Sequence, residues 1–152
     1  SASCFPPPPH HSIMTVRVSR TFEFDVPGEQ IWAFIADPEQ RAGAISVVDT
    51  FTIHDDSRAT WQVQLPIPLL NSTVTVETEE LIREPPTRVK FAGRSRALRV
   101  TGEHTITETD SGCQLHNEFV VDGQLPGVEG FFKRNLDTEL DNLEAALRAD
   151  ID

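Results

Sequence analysis

Residues 16–38, VRVSRTFEFDVPGEQIWAFIADP, hold the pattern that decides how this chain folds. In the first half of the stretch, apolar and polar residues alternate, and this period of two predicts a strand with one buried face. Arg20 is the one charged residue on the apolar face of this strand. Pro27 suits the first turn of a helix, and Asp37 ends that helix because a residue before proline avoids helical geometry. The stretch therefore predicts a strand followed by a short helix.

The middle of the chain continues with patterns of the same kind. A second helical turn is predicted over Pro38–Gly43, directly after the first helix. Turns rich in Asp, Ser, Gly and Pro then separate a series of apolar-polar alternations. Six further strands are predicted at Val47–Ile53, Ala59–Ile67, Ser72–Ile82, Arg88–Gly93, Leu98–Thr109 and Cys113–Val121. Because the links between them are short, neighbouring strands are expected to run antiparallel.

The end of the sequence has the pattern of one long helix. From Val128 to Ile151, apolar residues recur at steps of three and four, which places them in one stripe. Such a helix is roughly 34 Å long at about 1.5 Å per residue, longer than any predicted strand, so it must lie across the sheet. The sequence thus predicts an α+β fold. A curved antiparallel β-sheet of about seven strands grips the C-terminal helix, and two short helices follow strand 1.

The 152 residues of the chain correspond in number to one domain. We expect a single domain over residues 14–152, with Met14, the one methionine, as its natural start. Residues 1–13, SASCFPPPPHHSI, differ in composition and are expected to be a disordered leader or an added tail, since four consecutive prolines forbid a helix. This segment lacks the pattern of a secretory signal, and Cys4 and Cys113 are too few for a disulfide framework. A cytoplasmic location is therefore expected.

The sequence is strongly acidic, with 24 Asp and Glu residues, 13 Lys and Arg residues and a net charge of -11. A field of this sign repels phosphate backbones and anionic lipids, which argues against a nucleic-acid partner and leaves membrane contact only as peripheral binding. No stretch is long and apolar enough to be a transmembrane segment. Lys90 and Lys133 are the only lysines, and this composition is similar to that of proteins from salt-in halophiles. A haloarchaeal origin is expected; the alternative is an ordinary acidic cytosolic protein.

Several features together resemble the helix-grip superfamily, whose members are also called START-like or SRPBCC proteins. These features are the strand that ends at Val26-Pro27, the Ile31-Trp32 pair, Asp37-Pro38, the late turn Thr109–Cys113 and the long final helix. The superfamily comprises START domains, the birch-pollen allergen group, polyketide aromatase/cyclases and a group of proteins associated with carbon-monoxide dehydrogenase. The resemblance covers residues 15–151 and implies a helix-grip domain with a cavity between sheet and C-terminal helix. It implies a lipid, sterol, quinone, isoprenoid or polyketide as the occupant.

Three polar residues are candidates for contact with such a ligand. By alternation His104 faces inward, where it is a polar anchor, an acid/base group or a structural histidine with satisfied hydrogen bonds. Asn117 also faces inward, and its amide must find partners in a ligand, a trapped water or the neighbouring backbone. Arg20 either anchors a carboxylate at one end of the cavity, extends to the edge of the sheet or pairs with an acid.

Four aromatic residues complete the predicted ligand contacts. Trp61 lies on the apolar face of its strand, where it stacks on a ligand or packs in the core. Phe91 and Phe119, like Phe132, are large enough to fill part or all of the cavity. Phe131 lies beside the helical stripe and either closes the cavity mouth or packs under the preceding loop.

The sequence lacks the motifs that bring other kinds of chemistry. It has no Gly-rich phosphate loop, no C-x-x-C and no H-E-x-x-H, so neither a metal site nor a cofactor is expected. His104 is the one candidate catalytic residue. Three functions stay open. The first, which the apolar inward faces favour, is binding or transport of a small hydrophobic ligand without catalysis. The others are a polyketide cyclase/dehydratase-like enzyme and an accessory protein that binds a partner enzyme.

Overall fold

The part of the chain that the computed structural model describes, residues 15–65 and 73–151, contains seven strands and three helices. The strands are β1 (Thr15–Phe24), β2 (Val48–Ile53), β3 (Arg58–Gln64), β4 (Thr73–Glu84), β5 (Arg88–Arg94), β6 (Leu98–Thr109) and β7 (Gly112–Gly123). The helices are α1 (Gly28–Ile35) and α2 (Pro38–Gly43), both between β1 and β2, and α3 (Val128–Ile151) after β7. The predicted fold class is confirmed: a curved antiparallel sheet holds a long C-terminal helix.

All seven strands belong to one sheet, in the order β1-β7-β6-β5-β4-β3-β2. Strands β2 to β7 are neighbours in sequence order, and β1 closes the series by pairing with β7. The register sets side chains of adjacent strands side by side, because partners across a ladder point to the same face. One inward row contains Phe91, Gly102 and Phe119, and the next row along β6 contains His104 and Asn117.

The two short helices are each held at their N-terminus by a carboxylate. Pro27 precedes α1 but its side chain makes no capping hydrogen bond. Instead, the backbone N–H of Gly28 donates to the carboxylate of Glu108 on β6, at 3.0 Å to Oε2. At α2 the carboxylate of Asp37 accepts from the backbone N–H of Glu39 at 2.9 Å. The carboxylates supply the acceptors that the first helical turn lacks.

Helix α3 divides the interior into two parts along its apolar stripe. Toward its C-terminal end, Leu140 and Leu147 pack with Phe22, Ile31 and Leu115 in a dense cluster between sheet and α1. Toward its N-terminal end, α3 packs against large aromatic side chains of the sheet. Phe132 and Leu136 join a cluster that contains Trp61, Phe91 and Val121. The second cluster is the one that surrounds a cavity.

Element ends differ by a few residues from the predicted ones. Val26, predicted inside the first strand, follows the end of β1 at Phe24. Strand β7 continues two residues beyond Val121, to Gly123. The predicted leader 1–13, Met14 and the end of the predicted strand at Ile67 lie outside the described residues. None of the described helices is long and apolar enough to cross a membrane.

Candidate functional site

A cavity of about 60 Å³ lies between the concave face of the sheet and α3. Its wall is built mainly from aliphatic side chains of the strands and of the segment between α2 and β2, with two leucines from α3. The aliphatic lining comprises Ile45, Val47, Val48, Val63, Val76, Leu98, Val100, Val121, Leu136 and Leu143. Inward-facing β-branched residues at alternate strand positions produce this smooth apolar wall. Such a surface favours an apolar occupant.

Aromatic rings narrow the cavity on its sheet side. Trp61 and Phe91 meet edge to face with ring centroids 5.7 Å apart, and Phe91 and Phe119 do the same at 6.4 Å. The two phenylalanine rings meet above Gly102, where a methyl group would overlap both of them. Phe132 of α3 completes the aromatic lining from the opposite side. The absence of a side chain at Gly102 is therefore what allows two large rings to share one place.

His104 is the polar side chain on the sheet wall of the cavity. It is 2% exposed, and its ring lies between Phe91 (centroids 6.4 Å apart) and Phe119 (5.5 Å). Nδ1 of His104 is 2.8 Å from Oδ1 of Asn117. The amide nitrogen of Asn117 donates to the backbone oxygens of Arg20, at 3.1 Å, and Leu115, at 3.3 Å. Asn117 thus fixes the histidine ring, and is itself held by the backbone.

The surroundings of His104 keep its ring neutral. Burial removes the water that would stabilise an imidazolium, and this effect, together with the charge of Arg41, lowers the pKa of His104 to about 3. The hydrogen bond with Asn117 acts in the opposite direction but is the weaker influence. At neutral pH the ring therefore carries one proton. It can accept a hydrogen bond on its other nitrogen.

A buried ion pair joins α2 to β4, and its arginine lines the cavity. Arg41 of α2 is 6% exposed, and its Nη2 is 3.0 Å from Oε2 of Glu80 on β4. Its Nη1 donates to the backbone oxygen of Ile35 at 2.9 Å, and the guanidinium lies 5.3 Å from the centre of the Phe91 ring. Burial lowers the pKa of Arg41 from its ordinary value, while Glu80 opposes that shift. Because Arg83 also binds Glu80, at 2.7 Å, the carboxylate is shared by two cations.

A second polar contact joins α3 to the segment between α2 and β2. Glu139 of α3 is 9% exposed and accepts hydrogen bonds from both the backbone N–H, at 2.9 Å, and the hydroxyl of Ser46. Asn142 donates to the same carboxylate at 3.4 Å. Glu139 lines the cavity, so its contact with Ser46 lies where the helix meets the cavity wall. Both carboxylate oxygens already have partners.

The structure brings most of the sequence-derived candidates together. Trp61, Phe91, His104 and Phe119 line the cavity, and Asn117 lies behind His104 as its partner. These positions agree with the inward faces expected from strand alternation.

Two candidates lie elsewhere. Arg20 is not part of the cavity lining; it forms ion pairs with Asp137, at 3.1 Å, and Asp141 on α3, which raise its pKa. Three roles were considered for Arg20: anchoring a carboxylate, extending to the sheet edge and pairing with an acid. The structure shows the pairing with acids. Phe131 is buried and packs edge to face on Phe132 at 5.1 Å, and it is Phe132 that reaches the cavity.

Two cavity residues, Arg41 and Glu139, were not anticipated from the sequence. Glu139 stands three residues after Leu136 and four before Leu143, which is the spacing of the apolar stripe. A charge at that position was the available signal of a buried carboxylate. Arg41 gave no comparable signal, because a six-residue helix has no clear apolar face and Glu80 is 39 residues away. Within the described residues no cluster of His, Cys, Asp and Glu is arranged to hold a metal ion.

Comparison with known proteins places this arrangement among helix-grip proteins. Residues 15–148 match the family model described as polyketide cyclase / dehydrase and lipid transport. Comparison with curated protein sequences gives no significant match. Similar solved structures include a conserved protein from Geobacillus kaustophilus, with 14% identity, a TM-score of 0.72 and coverage of 90% of this chain and 95% of that one.

Two further solved structures carry descriptive titles. The Zhui aromatase/cyclase from Streptomyces sp. R1128 has 13% identity and a TM-score of 0.69, over 91% of this chain and 96% of that one. A START superfamily protein from Mycobacterium smegmatis has 16% identity and a TM-score of 0.68, over 88% and 94%. At these identities the likeness concerns the fold.

Proposed function

The chain belongs to the polyketide cyclase / dehydrase and lipid transport family, and from this premise we propose that it binds a small hydrophobic molecule in the cavity between the sheet and α3. One observation carries the proposal: the cavity wall is aliphatic and aromatic except for Arg41, His104 and Glu139. Binding sites for small molecules have this composition, with a few fixed polar groups in an apolar wall. Carriage or retention of the ligand, without reaction, is the function that fits best.

The size of the cavity sets a condition on this function. Its volume of about 60 Å³ is well below the roughly 300–1,000 Å³ of typical ligand pockets. A ligand of ordinary size therefore enlarges the cavity by rotating side chains of its wall. Phe91, Phe119 and Phe132 are the large side chains whose rotation would open it. The cavity in its present state is thus a contracted form of the binding site.

The chemistry of His104 favours binding over catalysis. A general base acts best when its pKa lies near the working pH, whereas the pKa of His104 is about 3. At neutral pH such a ring accepts a hydrogen bond but is a weak base. Moreover, Arg20, an optional third member of the catalytic group in the enzyme hypothesis, does not join His104 and Asn117 at the cavity.

A cyclase/dehydratase-like reaction is the second candidate, and one observation supports it. His104 is held in a single tautomer by Asn117 and its ring lines an apolar cavity, as expected of a positioned acid/base residue. A ligand that brings a negative charge next to the ring would raise the pKa of His104. The accessory-protein hypothesis has less behind it, because Leu81 is the one large hydrophobic residue that is exposed in the described residues.

Mass spectrometry of an organic extract from natively purified protein is the experiment that tests the proposal. We expect a stoichiometric lipid, quinone, isoprenoid or polyketide, and stabilisation of the protein when the same compound is added back. The variant Gly102→Ala should lose the ligand, because the added methyl group pushes the rings of Phe91 and Phe119 into the cavity. Thr101→Ala, on the outer face of the same strand, is the control that keeps the ligand.

Three results would count against the proposal. An empty extract, together with no shift in Tm across a panel of lipids, quinones and polyketides, would direct attention to a protein partner. A compound that is recovered chemically changed after incubation, and unchanged with His104→Gln, would favour the enzyme. Equal ligand content in wild type and Gly102→Ala, with both proteins folded by circular dichroism, would place the ligand outside this cavity.

A further inference from the structure

The proton on the His104 ring can be located from its neighbours. The amide nitrogen of Asn117 donates to two backbone oxygens, so its Oδ1 is the atom that faces His104. A carbonyl oxygen only accepts, and therefore Nδ1 of His104 carries the hydrogen. In a neutral imidazole the remaining nitrogen, Nε2, then holds a lone pair and can accept a hydrogen bond.

Nε2 of His104 is an acceptor without a partner among the described residues. The structure has a hydrogen bond at Nδ1 of this ring, and none at Nε2. Every side-chain nitrogen or oxygen that is fully enclosed in the described part of the chain does have a partner. Nε2 must consequently face space that a water-sized molecule can enter. The cavity is the space that this ring lines.

The other polar groups of the wall already have partners inside the protein. Arg41 binds the backbone oxygen of Ile35 and the carboxylate of Glu80, so its charge is matched inside the protein. Both oxygens of Glu139 accept hydrogen bonds, from Ser46 and Asn142. Nε2 is thus the acceptor of the wall that has no partner among the described residues, and a hydrogen-bond donor on an occupant of the cavity can be recognised there. An acceptor selects a donor.

Resting on the proposed function, we propose that the cavity selects neutral apolar molecules that carry a hydroxyl group, alcohols or phenols, and that this hydroxyl donates to Nε2 of His104. A ketone, an ether or a hydrocarbon of the same shape has no hydrogen to donate, and leaves the acceptor unpaired. A carboxylate ion also lacks a hydrogen, and it would bring a negative charge into an apolar wall where Arg41 is already neutralised.

The test is a comparison of two probes that differ in one group, 2-naphthol and 2-methylnaphthalene, titrated calorimetrically into wild type and His104→Leu. We expect the ratio of the two affinities to shift about tenfold toward 2-methylnaphthalene in His104→Leu, which is the size of one buried hydrogen bond. Thr101→Ala, on the outer face of the same strand as His104, leaves the cavity lining unchanged and should keep the ratio as in wild type. His104→Gln, which restores a side-chain oxygen acceptor, should recover part of the preference.

Each outcome separates the two proposals. A ratio that stays within twofold across wild type and His104→Leu overturns the role of His104 as hydroxyl acceptor but leaves the proposed binding function intact. Failure of both probes to bind wild type overturns the proposed function for ligands of this size, and the inference with it. If His104→Leu does not fold, the same ratio measured in His104→Gln and Asn117→Leu decides, because the latter frees the ring to present its N–H to the cavity. Tighter binding of 2-naphthoate than of 2-naphthol to wild type would also contradict the inference.

Discussion

At the scale of single residues, the interior of this protein combines a hydrogen-bonded polar pair with aromatic rings that are held by contact rather than by hydrogen bonds. His104 and Asn117 are held by hydrogen bonds that leave the histidine one orientation. The rings of Phe91 and Phe119 are held by packing over a glycine and, at Phe91, by the guanidinium of Arg41 as well. A buried hydrogen-bonded pair resists change, since an unmade bond costs about 1–3 kcal/mol, whereas a ring can rotate at lower cost. The polar anchor should therefore stay in place while the aromatic wall adapts.

The buried histidine predicts how stability depends on pH. In the unfolded chain His104 has its ordinary pKa of 6.5, whereas in the fold its pKa is about 3. Below pH 6.5 the unfolded state takes up a proton that the folded state does not, so stability is complete above 6.5 and falls as the pH decreases toward 3. The slope reaches about 1.4 kcal/mol per pH unit at most. Urea unfolding of wild type between pH 7.5 and 4.5 should show this loss.

The variant His104→Gln isolates this contribution, because all other titrating groups are unchanged. The free energy of unfolding of His104→Gln should vary less with pH than that of wild type. The difference between the two slopes should be at most about 1.4 kcal/mol per pH unit. Asp55, whose pKa is lowered to about 2 chiefly by the hydrogen bond from the backbone of Ser57, titrates below this pH range. Parallel pH profiles for wild type and His104→Gln would show that the pKa of His104 is the same in the folded and unfolded states, contrary to the prediction.

At the scale of elements, local sequence patterns were enough to predict the strands and helices. They were not enough to predict which elements the long polar side chains contact. The alternation in β1 and β6 and the stripe of α3 are properties of neighbouring residues, so the sequence shows them directly. They also predicted which strand residues face inward, including His104 and Asn117. The partners of long polar side chains depend on the folded distance instead. Arg20 is inward by alternation, yet its flexible stem carries the charge to Asp137 and Asp141 on α3.

The aromatic pair at the start of α3 gives the same lesson for a helix. Successive residues of a helix point about 100° apart, so only one of Phe131 and Phe132 can reach the cavity. The stripe that runs through Leu136 includes Phe132, and this is the ring that lines the cavity. For Phe131, which lies beside the stripe, closure of the cavity mouth and packing under the preceding loop were both left open, because nearness to the stripe is a weaker signal than helical phase. Arg41 and Glu139 were missed because their partners, Glu80 and Ser46, are distant in sequence.

Glu108 provides a prediction about the stability of α1. Its carboxylate, 80 residues away in sequence, accepts from the backbone N–H of Gly28, where any larger residue would block it. An acceptor with negative charge at a helix N-terminus stabilises unpaired N–H groups and the helix dipole. Glu108→Ala should therefore lower the free energy of unfolding by about 1 kcal/mol, as measured with urea. Glu108→Gln, which keeps an oxygen acceptor without the charge, should lose less; no difference between Glu108→Ala and wild type would show that α1 does not depend on this contact.

At the scale of the whole molecule, the surface charge is the dominant feature. The net charge of -11 arises from 24 acidic residues against 13 basic ones. Several arginines, such as Arg17, Arg88 and Arg148, already form ion pairs with glutamates. Such exposed pairs contribute little each, so the excess of carboxylates remains as mutual repulsion across the surface.

This repulsion leads to a prediction about salt. Charges interact over about 10 Å at 0.1 M ionic strength and over about 3 Å at 1 M, so added salt should relieve the repulsion. Tm is expected to rise by several degrees, on the order of 1–2 kcal/mol in stability, between 0.1 and 2 M KCl. Differential scanning calorimetry measures it, and sucrose serves as an uncharged control for exclusion of solutes from the surface. A Tm that is flat or falls with KCl would contradict both the repulsion and the expected halophilic origin.

The position of Trp61 gives the molecule its own optical signal. The chain has two tryptophans and no tyrosine, so nearly all its near-ultraviolet emission comes from Trp32 and Trp61. Trp61 lines the cavity and contacts Phe91, whereas Trp32 lies on α1 beneath the guanidinium of Arg83. In Trp32→Phe a single indole would remain, placed at the spot that an incoming molecule must displace or touch. Its intensity and wavelength would then report each arrival and departure in real time, without a dye or a label.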